Sequence, residues 1–346
     1  MLAVCCPVYG ASFNCAWAIT AQEKAICASP ELSAADERMA QAYHAILESI
    51  PPKLVAEVRE GQRQWVRSIA ITCPARESAP SGLLEGCLKE DYRKRTNVLQ
   101  NSIAHQGGVQ FVWRSVTLTA PDDPEAAKND RERGMLSESG ILNASWPQLS
   151  VDTPEWWAWN KAIEDSAREM ASQGNTQSDG KWSQEWAQDM DTDVTVSVAL
   201  LGPSLVTATL NNEWYDHGAA HPNLDFRQFN WLLKEKRELR PEDVFRPASG
   251  WDKYLAERCL KTLKAQFGES YPDQEWTPGY VESVLAKMVT QTSTKSLNPD
   301  GLTIPFVPGS VSCRVCEADP ISISWTELKP LLNPRFTIPH KNPQVP

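Results

Sequence analysis

The stretch Asp216-His217-x-x-x-His221-x-x-x-Asp225 offers the best set of side chains for chemistry in this 346-residue chain, because it alternates imidazoles with carboxylates at short spacing. To share a zinc ion, His217 and His221 would have to lie one turn apart on the same face of a helix. Gly218, Pro222 and the alternating pattern around them oppose a helix there, so the segment reads as a hairpin loop with His221 hydrogen-bonded to backbone. The chain carries no GxSxG, no HExxH and no phosphate-binding loop. Carboxylate pairs for glycoside hydrolysis are defined by spatial separation and not by sequence spacing. No catalytic residue, metal or cofactor is therefore assigned, and the expectation is a protein that acts by binding.

Nine cysteines form the second reactive set. Cys15 with Cys27, and Cys73 with Cys87, are close pairs flanking helical patterns, the arrangement of short-loop disulfides in an exported helical domain. An oxidising compartment follows, periplasmic or secreted. Residues 1–13 (MLAVCCPVYGASF) are apolar and uncharged and read as the remnant of a signal peptide. A lipid-bearing Cys5 or Cys6 is the lesser reading, because no small residue precedes Cys5. Cys313-x-x-Cys316 has metal-like spacing but no second pair, and with Cys259 it leaves an odd number of thiols.

Tryptophan is the third departure from average, with 14 in the chain. Trp156, Trp157, Trp159, Trp182 and Trp186 lie among acidic residues and could stack on sugars, since an indole offers a flat apolar face. Helical spacing favours a duller role: Trp156, Trp159 and Ile163 share one face and read as core, while Trp157 points elsewhere.

These residues need elements to hold them. Residues 14–103 read as four helices, with capping boxes at Thr20-x-x-Glu23 and Ser33-x-x-Asp36 and a stop at Pro51-Pro52. Met39, Tyr43, Ile46 and Ile50, then Leu54, Val58, Trp65 and Ile69, then Leu84, Leu88 and Leu99 form their apolar stripes. Residues 104–108 (AHQGG) read as a linker. Beyond it the period changes to strands at 109–118, 141–149, 194–200, 205–214, 226–233, 302–306 and 321–325, with helices at 154–170, 251–267 and 277–290. The expected fold is α+β and multidomain: a small disulfide-stapled helical bundle (14–103), then an α+β domain with a mostly antiparallel sheet (109–335), then a frayed tail (336–346).

Charge is unevenly placed. The chain has 34 basic and 44 acidic side chains, a net charge of −10, yet residues 105–230 alone hold 8 basic and 19 acidic ones. One face of the second domain is therefore expected to be acidic and to steer a basic partner. The same balance argues against nucleic acid, and no stretch approaches the roughly 18 uncharged apolar residues of a membrane span.

Phe13-x-Cys15, Glu23-Lys24-x-Ile26-Cys27, Pro30-Glu31-Leu32, Asp36, Tyr43, Gln62-Arg63-x-Trp65, Cys73, Cys87-Leu88, Tyr92 and Arg95 form a combination that resembles the N-terminal domain of the LprI-type lysozyme inhibitors. Trp146-Pro147, Asn160, Trp214-Tyr215, Gly218-Ala219-Ala220-His221-Pro222-Asn223, Phe229-Asn230-Trp231, Asp243-Val244-Phe245, Asp300-Gly301-Leu302 and Leu328 resemble the extracellular domain of RsiV-type anti-sigma factors, which also occurs beside some peptidoglycan deacetylases. His217 and the Cys313–Cys316 loop depart from that second pattern. Both resemblances imply lysozyme, or the peptidoglycan it cuts, as partner. The expected protein is a monomeric envelope protein that binds and inhibits lysozyme without catalysis, with Trp214, Tyr215, Asp216, His217, His221 and Asn223 at or near the contact. The alternative is a peptidoglycan-binding module that relies on exposed tryptophans.

Overall fold

The computed structural model describes residues 11–75, 82–106, 108–125, 127–128, 139–151, 153–172, 181–202, 204–268, 271, 277–307, 309–311 and 318–339. Four helices open the chain: α1 (Ala21–Ala28), α2 (Pro30–Ser49), α3 (Pro52–Thr72) and α4 (Leu83–Gln100). The Thr20–Glu23 capping box forms in full, each side chain bonding the other's backbone N–H. The second expected cap does not form. Helix α2 starts four residues earlier, with Ser29 as cap and Pro30 in the first turn, where a missing N–H costs nothing. Ser33 instead donates to the Ile26 carbonyl (2.8 Å), and Asp36 accepts from the Ser12 N–H (2.6 Å).

Disulfides Cys15–Cys27 and Cys73–Cys87 both form as expected. Met39, Ile46, Ile50, Leu54, Val58, Trp65, Ile69, Leu88 and Leu99 make the bundle's core, and Tyr43 packs half-buried at its margin. Such a core is small, so each crosslink matters: it contributes about 2–4 kcal/mol by restricting the unfolded chain.

The segment read as a linker is largely strand β1 (Ile103–Gln106), the edge of a seven-stranded sheet, paired with β2 (Val109–Pro121). After them come β3 (Ser139–Leu149), helix α5 (Pro154–Ala171), β4 (Met190–Leu201), β5 (Leu205–Asp216), β6 (Asn223–Leu232) and β7 (Arg237–Glu238). Spatial order follows chain order, and every pairing is antiparallel except β3 with β4, where α5 makes the crossover.

The bundle is welded to this sheet. Val112 of β2 belongs to the bundle's core. Gly61 of α3 lies so close to β2 that a Cβ there would stand 2.6 Å from the Ser115 carbonyl oxygen. Buried Arg95 of α4 donates to Gln62 (2.9 Å) and Ser115 (3.1 Å) and lies 5.7 Å from the centre of the Trp65 ring.

A second core forms around α7 (Trp251–Phe267), α8 (Pro278–Thr290) and the three-stranded antiparallel sheet of β8 (Ser296–Leu297), β9 (Gly301–Ile304) and β10 (Ile321–Ser324), with short helices α6 (Pro241–Val244) and α9 (Trp325–Leu328) at its margin. The tail is docked further than expected: Asn333 N–H donates to the Val244 carbonyl (2.8 Å), and Phe336 packs 5.3 Å from Trp325. Cys259 is a free thiol in this core, and burial pushes its pKa up to about 12. Cys5, Cys6, Cys313 and Cys316 lie outside the described residues.

Candidate functional site

Strands β2 and β5 finish, and β3, β4 and β6 begin, at one end of the sheet. Asp122, Asp123, Asp189, Asp191, Asp193, Glu213 and Asp216 gather there. Residues 191, 193, 195 and 197 alternate outward along β4, while Thr192, Val194 and Val196 point into the core. Register sets Asp193 directly opposite Glu213 and Glu213 opposite Leu224, so two carboxylates and an exposed leucine cross three strands in one row. Burial, and then the Glu213 charge beside it, raise the Asp193 carboxyl above the usual range. Among the described residues, Asp193, Glu213 and Asp216 form no ion pair.

His217 is the cation at the centre of this end. Its side chain is 3% exposed and that of Asp122 is fully buried. Nδ1 lies 2.8 Å from Asp122 Oδ2, and Nε2 lies 3.5 Å from Asp191 Oδ1. Asp191, and after it Asp122, hold the ring charged against the burial that opposes charge, and the pKa is pushed up to about 9. Backbone completes the knot: His217 N–H donates to the Asp189 carbonyl (2.9 Å), and Asp123 N–H donates to the Asp189 carboxylate (2.6 Å). Asp189 holds φ at +57°, a conformation uncommon outside glycine. An imidazole that is already protonated at neutral pH accepts no proton, so this geometry favours a structural cation over a general base.

The hairpin between β5 and β6 carries all six residues singled out from sequence, and it does not place them alike. Tyr215 is half-buried and its hydroxyl donates to the Ala219 carbonyl (3.0 Å). Trp214 and Asn223 are half-buried partners across the strands, whereas Asp216 and His221 are exposed. His221, expected to be hydrogen-bonded to backbone, faces solvent instead, and His217 is the one built into the structure. Among the described residues no group of three His, Cys, Asp or Glu side chains is placed to hold a metal ion. Asp122, Asp189 and Asp191 escaped the sequence reading; their only signal was the acidic excess of residues 105–230.

Trp156, Trp159 and Trp186 are buried in the sheet's core, and Trp182 stacks on Trp146 at 5.2 Å. Trp157 alone of the five stands out, 57% exposed, with the Lys53 ammonium 5.5 Å from its ring centre. The sugar-stacking platform does not form.

Residues 15–99 match the model of a family described as lysozyme inhibitor LprI. The matched span covers the helical bundle and both disulfides. Among curated proteins none matches the chain. Two solved structures are similar over the rest: a DUF3298 family protein from Pseudomonas aeruginosa PAO1 (15% identity, 66% of this chain and 97% of that one, TM-score 0.45) and one from Bacteroides fragilis NCTC 9343 (15%, 67% and 96%, TM-score 0.44).

Within the LprI-matching region, the residues that carried the resemblance are mostly internal. Ile26, Leu32, Trp65 and Leu88 are core, the four cysteines are crosslinked, and Glu23 caps a helix. Tyr92 meets Trp65 edge-on at 5.1 Å, and Gln62 accepts from Arg95. They specify the scaffold, and contact with a partner falls to what that scaffold displays. No helix among the described residues is long and apolar enough to cross a membrane.

Proposed function

We propose that this chain binds and inhibits a lysozyme in the bacterial envelope, as a monomer and without catalysing a reaction. The match of residues 15–99 to the lysozyme-inhibitor model carries this reading. The acidic sheet end adds a physical reason, because lysozymes are typically strongly basic and opposite potentials steer association. In this reading Trp214, Tyr215, Asp216, His217, His221 and Asn223 form or support the contact, with Asp216 and His221 outermost. The apolar, uncharged composition of residues 1–13 fits an export signal, and the resemblance of residues 109–335 to a lysozyme-sensing extracellular domain points to the same partner. The peptidoglycan-binding alternative depended on exposed tryptophans; Trp156, Trp159 and Trp186 are buried, which leaves Trp157 and Trp17 as the exposed indoles it could use.

Calorimetry with several lysozyme types at low ionic strength tests the proposal. The expected result is association between nanomolar and micromolar that weakens as salt rises, since exposed charges are screened beyond about 8–10 Å at physiological ionic strength. Absence of heat with every lysozyme would remove it.

A further inference from the structure

Helix α3 turns three arginines to one side. Arg59, Arg63 and Arg67 follow one another at four-residue steps, so their stems recur about every 6 Å along the axis. All three are exposed, and with Tyr43 of α2 and Gln62 and Val66 of α3 they line a groove of about 310 Å³ between the two helices. Of the Gln62-Arg63-x-Trp65 motif, Gln62 and Trp65 are buried, whereas the Arg63 side chain is 57% exposed. Gln62 is the buried part of the lining, held by Arg95 and by its own bond to the Met39 sulfur (3.1 Å).

The charge here is positive once every acid of both helices is counted. Glu60, beside the groove, accepts from Arg63 (2.5 and 2.9 Å) and lies 3.9 Å from Arg67. Arg59 meets no carboxylate among the described residues. Elsewhere on α2 and α3, Glu31 pairs with Lys89, Asp36 accepts from Ser12, Glu37 accepts from Gln41 (3.1 Å), and Glu57 pairs with Arg114. Glu48 lines no part of the groove. Three guanidiniums thus face one carboxylate, in a region that is otherwise balanced: residues 1–104 hold 11 basic and 11 acidic side chains.

Guanidinium forks match the planar oxygens of a carboxylate, and a row of them suits a ligand that repeats its anionic groups. Three further features narrow the occupant. The volume sits at the lower end of small-ligand sites, about 300–1,000 Å³, and six lining residues fall far short of the about 1,200–2,000 Å² that a stable protein contact buries. A bilayer surface is planar and does not enter a groove between two helices. The half-buried Tyr43 ring and Val66, 53% exposed, offer apolar faces that a bare inorganic anion would leave unused. An oligosaccharide of acidic sugars uses all of them, with a carboxylate on each ring for the arginines and ring C–H groups for Tyr43 and Val66.

We infer that Tyr43, Arg59, Arg63, Val66 and Arg67 form a binding groove for a short acidic glycan. This goes beyond the lysozyme reading and does not depend on it, because a cationic groove has nothing to offer a basic enzyme.

The test is calorimetric titration of the full chain at low salt with trigalacturonate, a chitin trisaccharide, inorganic phosphate and a triglutamate peptide. Trigalacturonate should bind one to one, weaken as salt rises, and exceed each of the other three at least tenfold in affinity. The variant R59Q/R67Q, which keeps the Arg63–Glu60 pair, should lose at least tenfold for trigalacturonate, and R59K/R67K should recover part of that loss. Circular dichroism confirms that these exposed changes leave the helix content as it was. A parent chain that takes up no trigalacturonate overturns the proposal, as does unchanged binding by R59Q/R67Q. Phosphate binding as tightly as trigalacturonate would show that the row reads charge alone, and tighter binding of triglutamate would make an acidic protein segment the occupant; either overturns the glycan assignment.

Discussion

Helix α5 and the acidic end of the sheet are both rich in carboxylates and dispose of them in opposite ways. On α5, Glu164 meets Arg114 (2.8 Å), Asp165 meets Lys161 (2.7 Å) and Arg168 (2.5 Å), Glu169 meets Arg227 (2.8 Å), and Glu155 lies 4.0 Å from Lys236. At the sheet end a single buried imidazolium serves two carboxylates, and Asp193, Glu213 and Asp216 form no ion pair among the described residues. Composition counts these acids alike. Geometry does not: paired charges cancel within a few ångströms, while the others sum to a field that reaches a partner.

The sharpest way to break this contrast is to remove its centre. H217A leaves Asp122 buried without its cation, and the expected loss is about 3–5 kcal/mol, read from urea unfolding. The same ring sets a pH dependence. Its folded pKa of about 9 exceeds the ordinary value near 6.5, so its stabilisation is complete below about pH 6.5 and is lost as pH rises through 9. The histidine ring signal in NMR should titrate near pH 9, and one that titrates near 6.5 would contradict the buried imidazolium.

On the α5 side, R114A should cost about 1–3 kcal/mol. That guanidinium joins Glu57 of α3 (3.3 Å) to Glu164 and lies 5.1 Å from the centre of the Trp146 ring. The smallest effect carries the most telling sign. E213Q removes a like charge directly opposite Asp193 and should stabilise the fold by about 0.2–1 kcal/mol while weakening any attraction for a basic protein. A destabilised E213Q would mean that the pair is already compensated within the chain.

Local chemistry was legible in the sequence wherever the deciding partners lay close along the chain. The two disulfides close short loops, the Thr20–Glu23 box is complete within four residues, and the Trp156–Trp159–Ile163 stripe needs only helical spacing. Ser33-x-x-Asp36 matched the capping pattern equally well and failed, because Ser29 and Pro30 supply a better start and Asp36 is taken by Ser12. His217 could not be told from His221 for a similar reason. Its burial is decided by Asp122 and Asp191, which reach it through strand registry and not through proximity in sequence. The AHQGG stretch has a linker's composition, yet the pairing of β1 with β2 claims most of it for the sheet.

The contact at Gly61 carries a consequence for how this chain can change. At Gly61 helix α3 comes so close to β2 that an added Cβ would stand 2.6 Å from the Ser115 carbonyl oxygen and 3.2 Å from its hydroxyl. At this point the helix and the strand leave no room for a side chain between them. A side chain at position 61 would meet a backbone carbonyl that every residue at position 115 carries, so no exchange at 115 could make room for it and glycine is held there by the sheet itself.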